Sequence, residues 1–318
     1  MKSTSRKRST GEQERTIVLT HGYGSGLGFF WANYDHLVQQ YDRVIAVDWL
    51  GMGGSSRPHR SKSPWISPCP SKQAGLTPAK GVNFFVDSLE ELRVKEGISN
   101  FVLAGHSLGG YLSARYALKY AADEHVSGLV LVSPVGVSSQ PLPESTIRHS
   151  DLSFGLKAIS TAWKWNLTPQ TLVRAMGPRG RDMVTNVLLR RFGKTRWGVE
   201  EVKLIAEYLY HISVAEGSGE YALNALLQPI ASTSGVGVYA RDPLTASLGS
   251  LKVPTLIQFG DHDWLYPKEL PSYLKNWKSF GASIDVDVIS KAGHHIYLDN
   301  PGGFHESLDH WSEKRLWG

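Results

Sequence analysis

The sequence predicts an α/β protein: a mostly parallel sheet with helices on both faces and an inserted helical lid. Three observations predict it. Short apolar and β-branched runs recur with helical patterns between them, the alternation that builds a parallel sheet covered on both sides. From about 137 to 250 the strand signal stops and helical segments take its place. Finally, Phe101-Val102-Leu103-Ala104-Gly105-His106-Ser107-Leu108-Gly109-Gly110 reads as strand, sharp turn and helix, with a serine at the apex.

A turn that abrupt forces its serine into a strained conformation, so the residues two before and two after it must be tiny, as Gly105 and Gly109 are. Ser107 then sits at the N-terminus of the helix continued by Tyr111 to Ala117, where unpaired amides and the helix dipole favour developing negative charge. The competing reading is a glycine-rich turn carrying an idle serine. The rest of the chain decides between them.

The other elements follow in order. Thr16 to Thr20 is a buried strand running into His21-Gly22-Tyr23-Gly24-Ser25-Gly26. In enzymes with such an elbow, a loop at this place supplies one of two amide donors to an oxyanion, and the N–H groups of Tyr23 and Leu108 are the candidates. His21 is read as bracing that loop. Arg43 to Asp48 is the next strand, followed by a glycine-rich turn to Pro58; without a lysine and helix placed for phosphate, this is a structural turn. Pro58 to Pro78, with Pro64, Pro68 and Pro70 between them, reads as a surface loop. A helix is expected over Val82 to Gly97 and a strand over Gly128 to Pro134, bounded by that proline. Helices then run over Phe154–Trp165, Pro169–Met176, Arg181–Phe192, Val199–Ala215 and Tyr221–Leu227, the second opened by Thr168 as N-cap before Pro169. Strands resume at Pro254–Gly260 and Ile284–Ile289, and Glu306 to Trp317 closes as a helix. The domain reading is a core over 1–136 and 251–318, with a helical lid over 137–250.

Composition bounds the function. At 41% hydrophobic and 20% charged residues the 318-residue chain is globular. Its one cysteine, Cys69, excludes an intramolecular disulfide and points to a reducing, intracellular setting. Met1 to Thr10 is basic and Ser/Thr-rich without an acid, read as a frayed terminus with an organelle-targeting remnant as the alternative; a mitochondrial or cytoplasmic location follows. No apolar run is long enough to span a membrane, so membrane contact is expected to be peripheral. The net charge of +5 mildly favours anionic partners, and with no nucleic-acid motif beside it the expected partner is lipid rather than nucleic acid.

In open α/β sheets the ligand site lies at the C-terminal ends of the strands. Three strand ends here carry matching chemistry: Ser107, then Gly260-Asp261-His262-Asp263-Trp264, then Lys291-Ala292-Gly293-His294-His295. A serine hydroxyl needs a base to take its proton, and the base needs a carboxylate to fix its tautomer. His294 is the expected base, with His295 as alternative. Asp263 is the expected acid, with Asp261 as alternative. No metal or organic cofactor is called for.

The chain resembles the α/β-hydrolase-domain 4/5 subfamily, including its fungal cardiolipin-specific deacylase members and plant phospholipase/acyltransferase members. The similarity is carried by His21-Gly22-Tyr23-Gly24 with Gly26-Leu27-Gly28, by Asp48 to Pro58, by Phe85 to Arg93, and by Gly293-His294-His295-Ile296-Tyr297-Leu298-Asp299. It implies an α/β-hydrolase fold and a serine-dependent lipid acyl-ester hydrolase acting on a phospholipid, cardiolipin included, through an acyl-enzyme. Two alternatives are implied as well: a lysophosphatidic acid or lysophospholipid acyltransferase, and a non-catalytic membrane-docked regulator of a lipase. The H-x4-D segment ending at Asp299 invites the acyltransferase reading. Asp299-Asn300-Pro301 also looks like a helix start, which makes Asp299 structural. Members of the subfamily carry a strand pair before the first strand seen here; with so few residues ahead of Thr16, those N-terminal strands are expected to be missing.

One surface stands out. Between Arg174 and Arg196, the cations Arg174, Arg179, Arg181, Arg190, Arg191, Lys194 and Arg196 face the single acid Asp182, with Trp163, Trp165 and Trp197 flanking them. Cations attract anionic headgroups and indoles favour the membrane interface, so these residues are expected to dock the lid on an anionic membrane surface.

Overall fold

A computed structural model describes residues 14–58, 76–120, 125–137, 146–147, 151–193, 196–232 and 235–318. Cys69, Lys194, the basic stretch Met1 to Thr10 and most of the Pro58 to Pro78 loop lie outside them. The chain divides into two compact units. Unit one draws on Met1–Asp48, Val86–Ser138 and Leu244–Gly318, and unit two on Trp49–Phe85 and Ser139–Pro243. The segment after Asp48, which the sequence reading places in the core, thus groups with the insertion.

Elements β1 (Thr16–Thr20), α1 (Tyr34–Gln40), β2 (Arg43–Val47), α2 (Pro78–Lys95), β3 (Phe101–His106), α3 (Leu108–Tyr120) and β4 (Val126–Val132) open the chain. The insertion holds α4 (Phe154–Lys164), α5 (Pro169–Ala175), α6 (Arg179–Phe192), α7 (Val199–Val214), α8 (Leu223–Leu226), β5 (Leu227–Ser232) and β6 (Gly235–Ala240). Then come β7 (Thr255–Gly260), α9 (Leu270–Ser279), β8 (Ile284–Ile289), α10 (Ile296–Asp299) and α11 (Pro301–Ser312).

Among the described residues of unit one, six strands pair in parallel in the order β2-β1-β3-β4-β7-β8. The central strands are continuous apolar runs because both their faces are covered: every residue of β1, β3 and β7 is buried. The sheet grows from β1 toward β2, then reverses toward β3 and β4. Right-handed crossovers therefore send α1 to one face and α2 and α3 to the other. The side chains agree with this layering. His36 of α1 meets Asp309 of α11 at 2.8 Å, while Tyr116 of α3 donates to Glu90 of α2. The reversal is the topological switch point, and beside it β3 ends in Ser107. Among the described strands, β2 pairs only with β1 and forms an edge.

Element ends moved where a cap decided them. The helix expected over Val82–Gly97 starts at Pro78, behind a Thr77 hydroxyl that accepts the Lys80 amide at 3.3 Å. The closing helix expected over Glu306–Trp317 starts at Pro301, because Asn300 caps it by accepting the Gly303 amide at 3.0 Å. It ends at Ser312 in a wider π-type turn over Glu313–Trp317.

Unit two is helical as expected through α7 and differs after it. The helix expected over Tyr221–Leu227 shrinks to a 3-10 turn and the four residues of α8, and β5 and β6 then form an antiparallel hairpin. Pro229 hid β5, since proline cannot donate to a ladder; in a two-stranded ribbon every strand is an edge, where proline is tolerated. The glycine-rich turn after β2 closes on itself, with Arg57 donating to the carbonyls of Gly53 and Ser55 at 2.9 and 3.0 Å. It is a structural turn.

Candidate active site

Ser107 has φ +55°, a left-handed conformation that costs a non-glycine residue free energy and is held by its surroundings. Its amide donates to Val132 of β4 at 2.9 Å, and its carbonyl accepts from Tyr111 and Val135 at 3.0 and 3.2 Å. The two flanking glycines are sterically required. A Cβ on Gly105 would lie 2.5 Å from the Gly109 carbonyl oxygen, and one on Gly109 would lie 2.5 Å from the Thr20 carbonyl oxygen.

The Ser107 hydroxyl meets His294 Nε2 at 3.0 Å, and His294 Nδ1 meets Asp263 Oδ1 at 3.1 Å. Asp263 stands at the end of β7 and His294 in the turn after β8, so three parallel strands deliver the three groups to one end of the sheet. The Asp263 side chain is fully buried. Burial alone would raise its carboxyl pKa; the hydrogen bond and charge of His294, helped by the Leu265 amide, outweigh that and hold it below the usual carboxylate range. The imidazole is therefore aligned between a hydroxyl and a buried carboxylate.

Asp261 does different work. Its carboxylate accepts the amides of Lys291 and Ala292 at 3.0 and 3.1 Å and the His262 imidazole at 2.7 Å. The Lys291 amide is the first cause holding its pKa down. Asp261 ties the end of β7 to the turn after β8 and does not reach His294. His295, the alternative base, packs its ring 6.2 Å from Phe29 and 4.9 Å from His106, and His294 holds the serine.

The loop after β1 lies against the nucleophile: a Cβ on Gly22 would approach the Ser107 Cβ at 3.0 Å. That puts the Tyr23 amide one residue from the contact, while Leu108 opens α3, where the first amides have no intrahelical acceptor. His21 is fully buried and braces this loop, its Nδ1 2.7 Å from the Gly22 carbonyl and its Nε2 3.4 Å from Asp48. Asp299 accepts the Gly293 amide at 2.9 Å, so it holds the turn that carries His294. Among the described residues no cluster of His, Cys, Asp and Glu is arranged for a metal, and no helix is long and apolar enough to cross a membrane.

Two site neighbours had no assigned role from sequence. Trp264 packs its ring 5.1 Å from His294 while remaining 56% exposed. His106, inside the elbow itself, packs its ring at a tilt 4.8 Å from that of His294 and 4.9 Å from that of His295. Each sits next to an expected triad residue, and adjacency was the one signal that could have flagged them.

The cationic stretch of unit two is partly consumed by internal pairing. Arg174 is no surface cation: it pairs with the buried Glu220 and donates to the carbonyls of Ser213 and Ala215, both at 3.1 Å. Arg181 pairs with Glu207 at 3.1 Å. Arg179, Arg190, Arg191 and Arg196 are exposed, Arg191 and Arg196 lying over the rings of Phe192 and Trp197. Of the three tryptophans only Trp165 is strongly exposed.

The sequence pattern described as "Alpha/beta hydrolase family" matches residues 17–306, a span that runs through Ser107, Asp263 and His294. A probable 1-acylglycerol-3-phosphate O-acyltransferase of Oryza sativa subsp. japonica is 36% identical over 312 residues, 96% of this chain and 69% of that protein. The 1-acylglycerol-3-phosphate O-acyltransferase ABHD5 of Rattus norvegicus is 31% identical over 297 residues, 92% of this chain and 75% of its own. A (lyso)-N-acylphosphatidylethanolamine lipase of Mus musculus is 29% identical over 304 residues, 94% of this chain and 79% of its own. Among solved structures, a thermophilic esterase from Thermogutta terrifontis superposes with a TM-score of 0.61 at 20% identity, covering 94% of this chain and 89% of that one, which speaks to the fold alone. The chain belongs to the alpha/beta hydrolase family, in its α/β-hydrolase-domain 4/5-like branch.

Proposed function

We propose that this protein is a serine-dependent hydrolase of lipid acyl esters, working on glycerophospholipids through an acyl-enzyme. The observation that carries the reading is the hydrogen-bonded chain Ser107–His294–Asp263 with Ser107 at φ +55°. Ser107 Oγ attacks the ester carbonyl as His294 Nε2 takes its proton. The oxyanion is held by the amides of Tyr23 and Leu108, each such donor being worth about 3–4 kcal/mol of transition-state stabilisation. Collapse breaks the C–O bond, and His294 returns the proton to the departing lysolipid oxygen. Water, deprotonated by His294, then attacks the acyl-enzyme and releases the fatty acid and Ser107. Asp263 keeps the imidazole in one tautomer and stabilises its charged form.

A second reading shares every step except the last. An alcohol of a lysophospholipid replaces water, and the acyl group is transferred. The names of the rice and rat relatives favour it, whereas the mouse relative is named a lipase. Asp299 supplies no support for transfer, because its carboxylate is engaged by the Gly293 amide.

The test is a substrate panel from short-chain esters to phospholipid vesicles, cardiolipin among them, with and without a lysophospholipid acceptor, and Ser107→Ala as control. Release of fatty acid from phospholipid that disappears in Ser107→Ala is expected. Acyl groups appearing in the acceptor, with little free acid, would select the transferase. Turnover confined to short soluble esters would remove lipids as the substrate class.

Docking on anionic membrane belongs to the same proposal and rests on a revised set of residues. Arg179, Arg190, Arg191 and Arg196 are exposed cations, while Phe154 at the start of α4 and Trp165 at its C-cap are 88% and 63% exposed. Each basic residue near an anionic surface contributes about 1 kcal/mol, so several give reversible, salt-sensitive binding. Co-sedimentation with cardiolipin-containing vesicles is expected to exceed that with neutral ones and to fall at high salt. It should fall in Arg190→Glu/Arg191→Glu as well. Arg174→Ala should act otherwise: by leaving the buried Glu220 unpaired it lowers the melting temperature, at a cost of about 3 kcal/mol. Binding indifferent to lipid charge and salt would remove the docking proposal.

A further inference from the structure

His106 is the last residue of β3 and is 2% exposed. Its Nε2 lies 2.9 Å from the main-chain carbonyl oxygen of His294, and its Nδ1 lies 3.4 Å from the Tyr297 hydroxyl. A carbonyl only accepts, so Nε2 carries the ring proton and Nδ1 is left to accept from Tyr297. One neutral tautomer satisfies both contacts. The ring lies 4.8 Å from the His294 ring, 4.9 Å from that of His295 and 5.0 Å from that of Tyr297, and so packs under the whole turn after β8.

We infer that His106 is a positioning residue, whose donation to the His294 carbonyl sets the base relative to the neighbouring Ser107. This rests on the hydrolase reading of Ser107, Asp263 and His294. The Ser107 hydroxyl and the His106 ring leave the chain at consecutive residues. The path Ser107–His106–His294 therefore spans one peptide and one hydrogen bond, although 188 residues separate His106 from His294 along the sequence. Any shift of the end of β3 moves nucleophile and base together, and their 3.0 Å contact survives it. The chemistry of the prop suits its place. Burial first, and the charge of His294 second, hold the His106 pKa down to about 3, so it stays neutral and keeps donating while His294 cycles through its charged form. A cationic His106 beneath His294 would oppose the imidazolium on which the mechanism depends.

The test uses the full chain with His106→Gln, His106→Asn, His106→Leu and Ser107→Ala, measuring kcat and KM for p-nitrophenyl butyrate across pH. Glutamine places an amide N–H where Nε2 was; asparagine is polar but too short to reach the carbonyl. His106→Leu and His106→Asn are expected to lose about 100-fold in kcat, the scale of a misplaced catalytic group, with KM little changed. The acid limb of their kcat profile, which reports the base, should move. His106→Gln should recover kcat to within about tenfold of the wild type. Equal losses in His106→Gln and His106→Asn, or a wild-type kcat and acid limb in His106→Asn, would overturn the proposal. Should His106→Leu fail to give a cooperative melt, the glutamine–asparagine contrast carries the test alone. Imidazole NMR in the Ser107→Ala background separates this from the hydrolase reading. A protected Nε2–H signal from His106, and a His294 titration displaced by His106→Asn, are expected whether or not ester turns over. Their absence refutes the positioning role, and wild-type turnover by Ser107→Ala refutes the serine mechanism instead.

Discussion

Ser107→Ala and His294→Ala are each expected to abolish ester hydrolysis, by about a millionfold in kcat, while leaving the fold and its melting temperature close to the wild type. In the proposed mechanism the Ser107 hydroxyl oxygen becomes acylated and His294 Nε2, 3.0 Å away, accepts its proton. Removing either one stops the same step, so the double variant should be no slower than the singles. Fold preservation is expected because the φ of +55° at Ser107 is imposed by main-chain bonds to Val132, Tyr111 and Val135, which alanine keeps. The assay is burst and steady-state release from a short-chain chromogenic ester, beside thermal melts. Retention of substantial turnover by His294→Ala, together with its loss in His295→Ala, would transfer the base to the neighbouring histidine. Additive losses in the double variant would mean that the two residues act in separate steps.

The second large effect separates two aspartates that are two positions apart. Asp263→Asn is expected to cost about 10,000-fold in kcat, because an amide in place of the carboxylate can hold the imidazole in the wrong tautomer and cannot stabilise its charge. The change is isosteric, and Asp263 Oδ1 lies 3.1 Å from His294 Nδ1. Asp261→Asn removes charge from a carboxylate that serves main-chain amides of Lys291 and Ala292. An asparagine carbonyl can still accept one of those bonds, so a modest loss of stability with activity largely retained is expected. Equal kcat losses in the two variants would refute the assignment.

Much of this site was legible in sequence, and the reasons are local. Gly105 and Gly109 had to flank Ser107 because a Cβ at either position would run into main-chain oxygen, a constraint written within a few residues of the serine. The strands of the sheet announced themselves because a parallel strand covered on both faces must be apolar throughout. Local signals mislead elsewhere. Pro229 argued against a strand that an isolated two-stranded ribbon tolerates, and α9 went unseen although Trp277 on it donates to the Thr245 carbonyl at 2.7 Å. Position along the chain groups Arg174 with the other cations, whereas in space it answers to Glu220, which lies 46 residues away.

By itself, then, the sequence determined the elbow, the order of serine, acid and histidine, and the strand ends at which they stand. Steric exclusion and side-chain periodicity act within a single turn or element, and one turn of sequence is enough to read them. Only the tertiary structure put Asp263 on His294 Nδ1 and Asp261 on the Lys291 and Ala292 amides, paired Arg174 with Glu220, and brought His106 under the His294 carbonyl. Those outcomes turn on hydrogen bonds, whose energy falls off within a fraction of an ångström and a few tens of degrees. Residue type can show that a partner is needed; where the ends of β3, β7 and β8 arrive in space decides which one is reached.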